Sequence, residues 1–535
     1  MENSHHRLYH WFIMALLFIF CLHPVSTQAK EIDKSVASGL EDSKTLKVGM
    51  EANYAPFNWT QTDDSNGAVP ISNSSGEYAN GYDVQMARKL ADKLGVKLEI
   101  VKLEWDGLPP ALESGKIDAI IAGMSPTEER LKQMDFTNSY YNSDIVLVVD
   151  KDSPYASANS LDDFANAKVT GQLNTFHYDL IDQIPNVNKQ TALEAFPTMI
   201  SSVMSGKIDA YISERPGAMS AIAANPDLTY VSFDDNKGFD LKDVTTEVAV
   251  GLRKDSPLVD PINDALDTIS NDEREDTMED MVDLNEQDED RGFLGDISNI
   301  WSKYGSQFLR GAGNTMFIAL TSTIIGSLIG LIIAIIRSIK VAKTDKIKYV
   351  LYKIIDFIIV AYIEIFRGTP MMVQAMLIFY GSKLFFDFDL SSMAAALLIV
   401  SVNTGAYLSE VIRGGITGID KGQTEAAKAI GMNHFQTMTS VILPQAIRTT
   451  LPALGNEFVI NIKDTSVLNV IAVTELFFIT KSTAGSTYLT FQTFLIASII
   501  YFVLTFTSTR ILNWIEKKFN DSDTYRIHTS STIPE

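Results

Sequence analysis

Gly422-Gln-Thr-Glu-Ala-Ala-Lys-Ala-Ile-Gly431, followed by Ile442-Leu-Pro444, decides how the second half of this chain is read. The stretch lies between two long apolar segments, on the side where Lys and Arg accumulate. Its pattern suits a helix that turns at Gly431 and structure that restarts at Pro444 before the next helix. A helix-turn-helix in that place is a surface for a cytoplasmic partner.

Outward from this loop the chain is apolar. A membrane span needs about 20 mostly apolar residues. Asn314–Ile336 and Thr490–Leu512 satisfy this clearly, and Thr369–Phe386 and Ser391–Ile412 read as further spans. Leu451–Leu476 is long enough but carries Glu457, Lys463 and Asp464. Such charges are tolerated only toward a bundle interior or a polar cavity. Asn461, Lys463 and Asp464 therefore read either as a polar pathway or as a structural ion pair at a helix end. Tyr349–Ile365 contains Lys353, Asp356 and Glu364 and reads as partly interfacial rather than as a separate crossing.

Charge placement sets the orientation. Arg337, Lys340, Lys343, Lys346, Lys348 and Lys353 follow the first span. Arg413, Lys421, Lys428 and Arg448 fill the loop 413–448, and Arg510, Lys517 and Lys518 flank the last span. Positive charge marks the cytoplasmic side. The first span then runs inward, residues 30–310 lie outside, the C-terminus lies inside, and the number of spans is odd: five, not six.

The first half is unlike the second. Residues 45–255 alternate strand-like stretches (Leu46–Met50, Val96–Val101) with helix-like ones. Tyr82–Leu94 is predicted helical, with Val84, Ala87, Leu90, Ala91 and Leu94 on one face. That alternation implies an α/β domain with a largely parallel sheet. Leu112-Glu-Ser-Gly-Lys-Ile-Asp-Ala119 and Val203-Met-Ser-Gly-Lys-Ile-Asp-Ala210 nearly repeat each other. Each predicts a helix ending at a glycine cap and then a strand, hence two related lobes. Residues 262–290 are strongly acidic with a rough helical period, as in one or two closing helices before a tether.

The formal charge of −22 argues against nucleic acid as a partner. The single cysteine, Cys21, leaves no disulfide framework, cysteine metal site or cysteine nucleophile. Residues 1–29 read as a secretory signal, with an apolar core over Trp11–Leu22 and a small-x-small site at Thr27-Gln28-Ala29. The expected plan is signal 1–29, linker 30–44, binding domain 45–288, tether 289–304, permease domain 305–516 and cytoplasmic tail 517–535.

A free amino acid presents a carboxylate and an ammonium on one carbon. A cleft for it needs a bidentate cation, a carboxylate and often an aromatic wall. Gly123-Met-Ser-Pro-Thr-Glu-Glu-Arg130 follows a predicted strand, Ala119–Ala122, and opens a helix. Backbone amides there favour an anion, and Arg130 supplies the fork.

Taken with Tyr54-Ala-Pro-Phe57, Gly81-Tyr-Asp83, Trp105-Asp-Gly-Leu-Pro109 and Asp135-Phe-Thr-Asn-Ser-Tyr-Tyr141, this loop makes residues 45–285 resemble the type II periplasmic binding proteins for polar amino acids. The resemblance implies that Arg130 clamps the α-carboxylate with the Gly123 backbone and Ser125, and that Thr175 adds a donor from the second lobe. Glu214 would meet the α-ammonium. Tyr54 and Trp105 would flank the side chain, with Glu51 facing it. The chain departs from the family at Asn174-Thr175, where Gly-Thr is common, and at Glu214, where Asp is commoner.

The membrane half, about 305–515, resembles the amino-acid subgroup of ABC permeases through Glu425-Ala426-Ala427, Gly431 and Ile442-Leu443-Pro444, and through Phe366-Arg-Gly-Thr-Pro370. In that family the loop docks on an ATPase. The resemblance implies an all-α transmembrane domain of about five spans in a multi-pass protein of the plasma membrane. Glu425, Ala426, Ala427 and Gly431 would form the docking surface. No Gly-x-x-x-x-Gly-Lys-Ser/Thr occurs, so no cofactor is expected on this chain and ATP with Mg²⁺ belongs to a separate subunit. One permease domain cannot form a two-sided pathway in this family, so a homodimer is expected, each copy carrying its receptor at high effective concentration. The rival readings are a ligand-gated channel, whose pore interrupts the binding domain, and an enzyme built on the same fold.

Overall fold

The computed structural model describes residues 39–42, 44–233, 237–242, 246–284, 292–339, 341 and 343–520. The expected signal, most of the linker and most of the tail lie outside these residues.

The first half folds as two α/β lobes. In the first, the strand order is Lys97–Lys102, Thr45–Met50, Ala119–Ile120, Glu247–Arg253, Met134–Asn142. The first three are mutually parallel, whereas Glu247–Arg253 runs antiparallel to both its neighbours. Four of the five strands thus run the same way, as expected, and only Glu247–Arg253, which returns from the other lobe, opposes them. Tyr82–Leu94 is helical as expected, burying Val84, Ala87, Leu90 and Ala91, and ends on Gly95 at φ +68°. The second lobe orders Asn188–Lys189, Lys168–Thr170, Ala210–Glu214, Ile145–Asp150 and Leu228–Val231. The chain crosses between lobes at Asn142–Ile145 and returns before Glu247. Thr246 Oγ1 donates to Asn142 Oδ1 at 2.8 Å, tying the two crossings together.

The near-repeat is structural. Gly115 and Gly206 both turn at positive φ, +74° and +69°. The aspartate that follows each accepts from a backbone N–H of the neighbouring strand: Lys47 N–H to Asp118 at 3.0 Å, Lys168 N–H to Asp209 at 2.7 Å. Each lobe carries its own brace. The acidic stretch forms two closing helices, Val259–Leu266 and Asn271–Asp283, the second capped by the Ser270 hydroxyl. Among the described residues, all of this precedes the first membrane helix, and no membrane helix interrupts the receptor.

That helix, Gly292–Ser338, has 47 residues, about 70 Å at 1.5 Å per residue. It absorbs most of the expected 289–304 tether, since Ile300 and Tyr304 are already buried. Among the described residues, three helices are long and apolar enough to cross a membrane: Gly292–Ser338, Ser392–Gly418 and Thr490–Lys518. A fourth candidate is bent, His434–Ile471 meeting Leu476–Thr487 at 55°. The expected span over Thr369–Phe386 is a helix of only 16 residues, Met371–Phe386, about 24 Å long and short of the ~30 Å apolar core. It follows Lys346–Gly368 after the break at Thr369-Pro370. The expected span over Leu451–Leu476 is shifted. Its helix runs Leu443–Asp464, and Thr465–Ile471 is a tighter 3₁₀ turn.

Small residues let Gly292–Ser338 and Ser392–Gly418 touch. A Cβ on Gly326 would lie 2.6 Å from Thr404 Cγ2, and one on Gly330 would lie 2.8 Å from the Ser409 backbone nitrogen. Asn461 is buried at this contact and donates to Thr323 Oγ1 at 2.9 Å and Thr404 Oγ1 at 3.0 Å. Asn461 is therefore a clasp between helices, while Lys463 and Asp464 are exposed on the single chain. At the other end Arg337 pairs with Asp356 at 3.4 Å and with Glu410, which also holds Arg413.

Candidate functional site

Residues distant in sequence meet between the two lobes. Glu51 directly follows the strand Thr45–Met50 of the first lobe, and Glu214 ends a strand of the second where Arg215–Ala224 begins. Glu51, Tyr54, Trp105, Gly123, Ser125, Arg130, Thr175 and Glu214, the whole expected set, line one cavity. Ala122, Gln172, Phe176 and His177 complete its wall.

Thr127 caps the short helix Glu128–Leu131, which sets the position of Arg130. Its guanidinium lies 5.2 Å from the Trp105 ring and donates to Ser125 O at 2.9 Å and Asn174 O at 3.1 Å, one carbonyl from each lobe. Burial lowers its pKa to about 10, so it stays charged at neutral pH. Trp105 is thus the bed of the arginine as well as a cleft wall. Gly123 turns at φ +62°, and a Cβ there would meet the Tyr54 ring at 3.3 Å.

Glu214 is 3 % exposed. Its two oxygens are held by the Tyr54 hydroxyl and by His177 Nε2 at 3.1 Å. Burial raises its pKa, but the charge and hydrogen bond of His177 and the Tyr54 hydroxyl outweigh that, and the carboxyl is held below its ordinary range. Tyr54 reaches it from the opposite lobe, and its ring stacks on Phe196 at 4.5 Å and 10°. The lobes are closed on each other through this stack.

The structure explains both departures from the family pattern. Asn174 sits at φ +59°, a left-handed conformation that asparagine shares with glycine. The longer Glu214 is steadied by His177, a residue the sequence reading missed although it lies two positions beyond Thr175 in the same short element. Thr175 itself donates to Gln172 O at 2.8 Å and shapes the turn. Glu51 is 6 % exposed, and burial, reinforced by nearby Glu104, raises its pKa to about 8.

At the opposite end, Asp420 caps the helix Lys421–Ala429, Gly431 turns at φ +85°, and Asn433 with Gln436 forms a capping box on the next helix. Glu425 and Ala426 are exposed, as a docking face requires. Ala427 is buried within the chain, so it packs the loop rather than presenting it. Ile430 and Phe435, 79 % and 63 % exposed, are apolar side chains of the same loop that the sequence reading did not single out.

These features define a two-lobed solute receptor joined to a helical permease. Residues 46–281 match the bacterial extracellular solute-binding proteins, family 3, and residues 326–521 match the binding-protein-dependent transport system inner membrane component. The arginine transport system permease protein ArtQ of Bacillus subtilis (strain 168) is 33% identical over 215 residues, 40% of this chain and 93% of that protein. The glutamine transport system permease protein GlnP of Escherichia coli (strain K12) is 34% identical over 166 residues, 31% of this chain and 76% of that protein. Among solved structures, the amino acid ABC transporter substrate-binding protein AbpA from Streptococcus pneumoniae, bound to L-arginine, is 25% identical, with a TM-score of 0.39 over 46% of this chain and 98% of that one. The chain belongs to the binding-protein-dependent permeases of amino acid ABC importers, with the binding protein fused ahead of the permease.

Proposed function

We propose that the chain captures a polar or cationic amino acid outside the cell and passes it inward through a homodimeric permease driven by a separate ATPase. The observation that carries this is the union of Arg130, Glu214 and Glu51 in one buried cleft. Arg130 answers the carboxylate, Glu214 the ammonium, and Glu51 remains for the side chain. The relatives named for arginine and for glutamine transport support that substrate range. Exposure of Lys463 and Asp464 on the single chain supports a polar path completed by a second copy. A ligand-gated channel gains no support, since the receptor is continuous and the 421–442 loop would have no use.

Calorimetric titration of the full chain in lipid nanodiscs with Lys, Arg, His, Gln, Asn and Glu tests the reading. Tight binding of one class supports it, and no heat with any of them overturns it.

The Glu51 carboxyl gives the binding a pH signature. A cationic side chain needs the carboxylate, so its capture expels a proton from a group whose pKa is near 8. Affinity for arginine is expected to rise between pH 6 and pH 8, by at most about tenfold per unit, and to level off above. Titrations at fixed ionic strength read this directly. The slope should vanish in Glu51→Gln and be absent for glutamine.

The loop makes a separate prediction. Glu425→Lys reverses the charge on an exposed docking face without touching the cleft. Amino-acid-stimulated ATP hydrolysis by the reconstituted complex is expected to fall at least about tenfold, the scale of one interface anchor. Amino acid affinity is expected to stay unchanged.

A further inference from the structure

The short helix Leu476–Thr487 belongs to the permease half, yet it packs on Asn53–Tyr54, Asn58–Gln61 and Phe196–Met204 of the receptor. Lys481 on this helix places Nζ 2.6 Å from Glu104 Oε2 in the first lobe and 3.9 Å from Glu194 Oε2 in the second. Its side chain is 16 % exposed. Glu104 immediately precedes Trp105, a wall of the cleft. Lys481 opposes the effect of Glu104 on buried Glu51, and Asp106 adds to it.

Contacts on the helix and just beyond it fix this position: Thr60 N–H donates to Ser486 Oγ at 3.2 Å, and Lys102 Nζ donates to Ser482 Oγ. The Tyr488 hydroxyl donates to Ala55 O at 2.7 Å, and Thr490 Oγ1 donates to Pro197 O at 2.9 Å. These carbonyls follow Tyr54 and Phe196, the two rings stacked across the cleft. Gly485 permits the approach, since a Cβ there would lie 2.6 Å from Asn53 O.

We infer that Lys481 is a specificity-determining residue of the amino acid site, supplied to the receptor by the permease. Without it, Glu51, Glu104 and Asp106 form an anionic group that favours a cationic side chain. With it, part of that field is cancelled, and neutral polar side chains gain relative to cationic ones. A low effective dielectric makes one added charge at this range a strong discriminator. The inference rests on the reading of Glu51 as the side-chain carboxylate, and it makes selectivity a property of the docked protein rather than of the receptor alone.

The test measures Kd for arginine and for glutamine with the full chain in nanodiscs, in wild type, Lys481→Met, Lys481→Arg and Thr490→Val. In Lys481→Met the ratio Kd(glutamine)/Kd(arginine) is expected to rise about tenfold or more. Lys481→Arg should keep the wild-type ratio. Thr490→Val, which loosens docking without changing charge, should move both constants together and leave the ratio alone. A ratio unchanged in Lys481→Met, a shift toward glutamine, or an equal shift in Thr490→Val overturns the inference while amino acid binding still stands. If the wild type binds neither amino acid, the assignment of the cleft falls and the inference with it.

Discussion

Arg130→Ala is expected to abolish measurable amino acid binding while the receptor stays folded. The guanidinium donates to two carbonyls, Ser125 O and Asn174 O, and rests near the Trp105 ring. A ligand carboxylate would gain a charge-assisted fork at the same place. Alanine leaves that carboxylate in a partly desolvated site with no cation. Truncating one partner of a buried charge pair costs about 3–5 kcal/mol, a loss in affinity of about a hundred- to several-thousandfold. Calorimetry should show no heat, with little change in the receptor's melting temperature. Arg130→Lys keeps the charge without the planar fork and should fall between. A loss under about fivefold in Arg130→Ala would remove this residue from the carboxylate role.

Gly330→Val is expected to disrupt the permease and spare the receptor. A Cβ at this position meets backbone, the Ser409 nitrogen at 2.8 Å and the Leu408 carbonyl carbon at 3.0 Å, and backbone cannot rotate away. The helices must part. One turn away Gly326 makes the same close approach, and the Asn461 clasp on Thr323 and Thr404 depends on that separation. Overpacking alone costs about 1–3 kcal/mol, and a strained polar clasp adds to it. Thermal melting of the detergent-extracted chain should show the permease transition lowered or lost, with transport abolished. Amino acid binding by the receptor should persist. A permease transition at the wild-type temperature would show that the bundle relaxes around the new side chain.

The cleft was legible in the sequence because its parts are local phrases. Tyr54-Ala-Pro-Phe57 and Gly123–Arg130 each set a backbone path that aims one side chain, and the lobes bring those phrases together. The two lobes were legible through the Gly115 and Gly206 turns. What the phrases could not carry is pairing at long range. Lys481 meets Glu104 across 377 positions, so no local pattern announces it. His177 was missed because it lies on a short helix and its partner, Glu214, comes from a distant strand. In the membrane half, composition found the apolar stretches but not where helices stop. The Leu443–Asp464 helix ends at Lys463-Asp464-Thr465, and the next begins only after Ala472 turns left-handed at φ +56° and Glu475 caps Phe477 and Phe478. An apolar count does not see such punctuation.

The paired braces on Asp118 and Asp209 have a mechanical consequence. A lobe whose central strand is pegged by its own carboxylate does not shear when the cleft opens. Compliance is confined to the two strand crossings, near Asn142 and Thr246, and opening becomes a swing of two stiff plates about a double hinge. One interatomic ruler then suffices to follow it. Spin labels at exposed Glu113 and Lys207, each near the brace of its own lobe, should report two discrete separations whose populations track amino acid concentration. A continuous spread of distances would mean that the plates themselves bend.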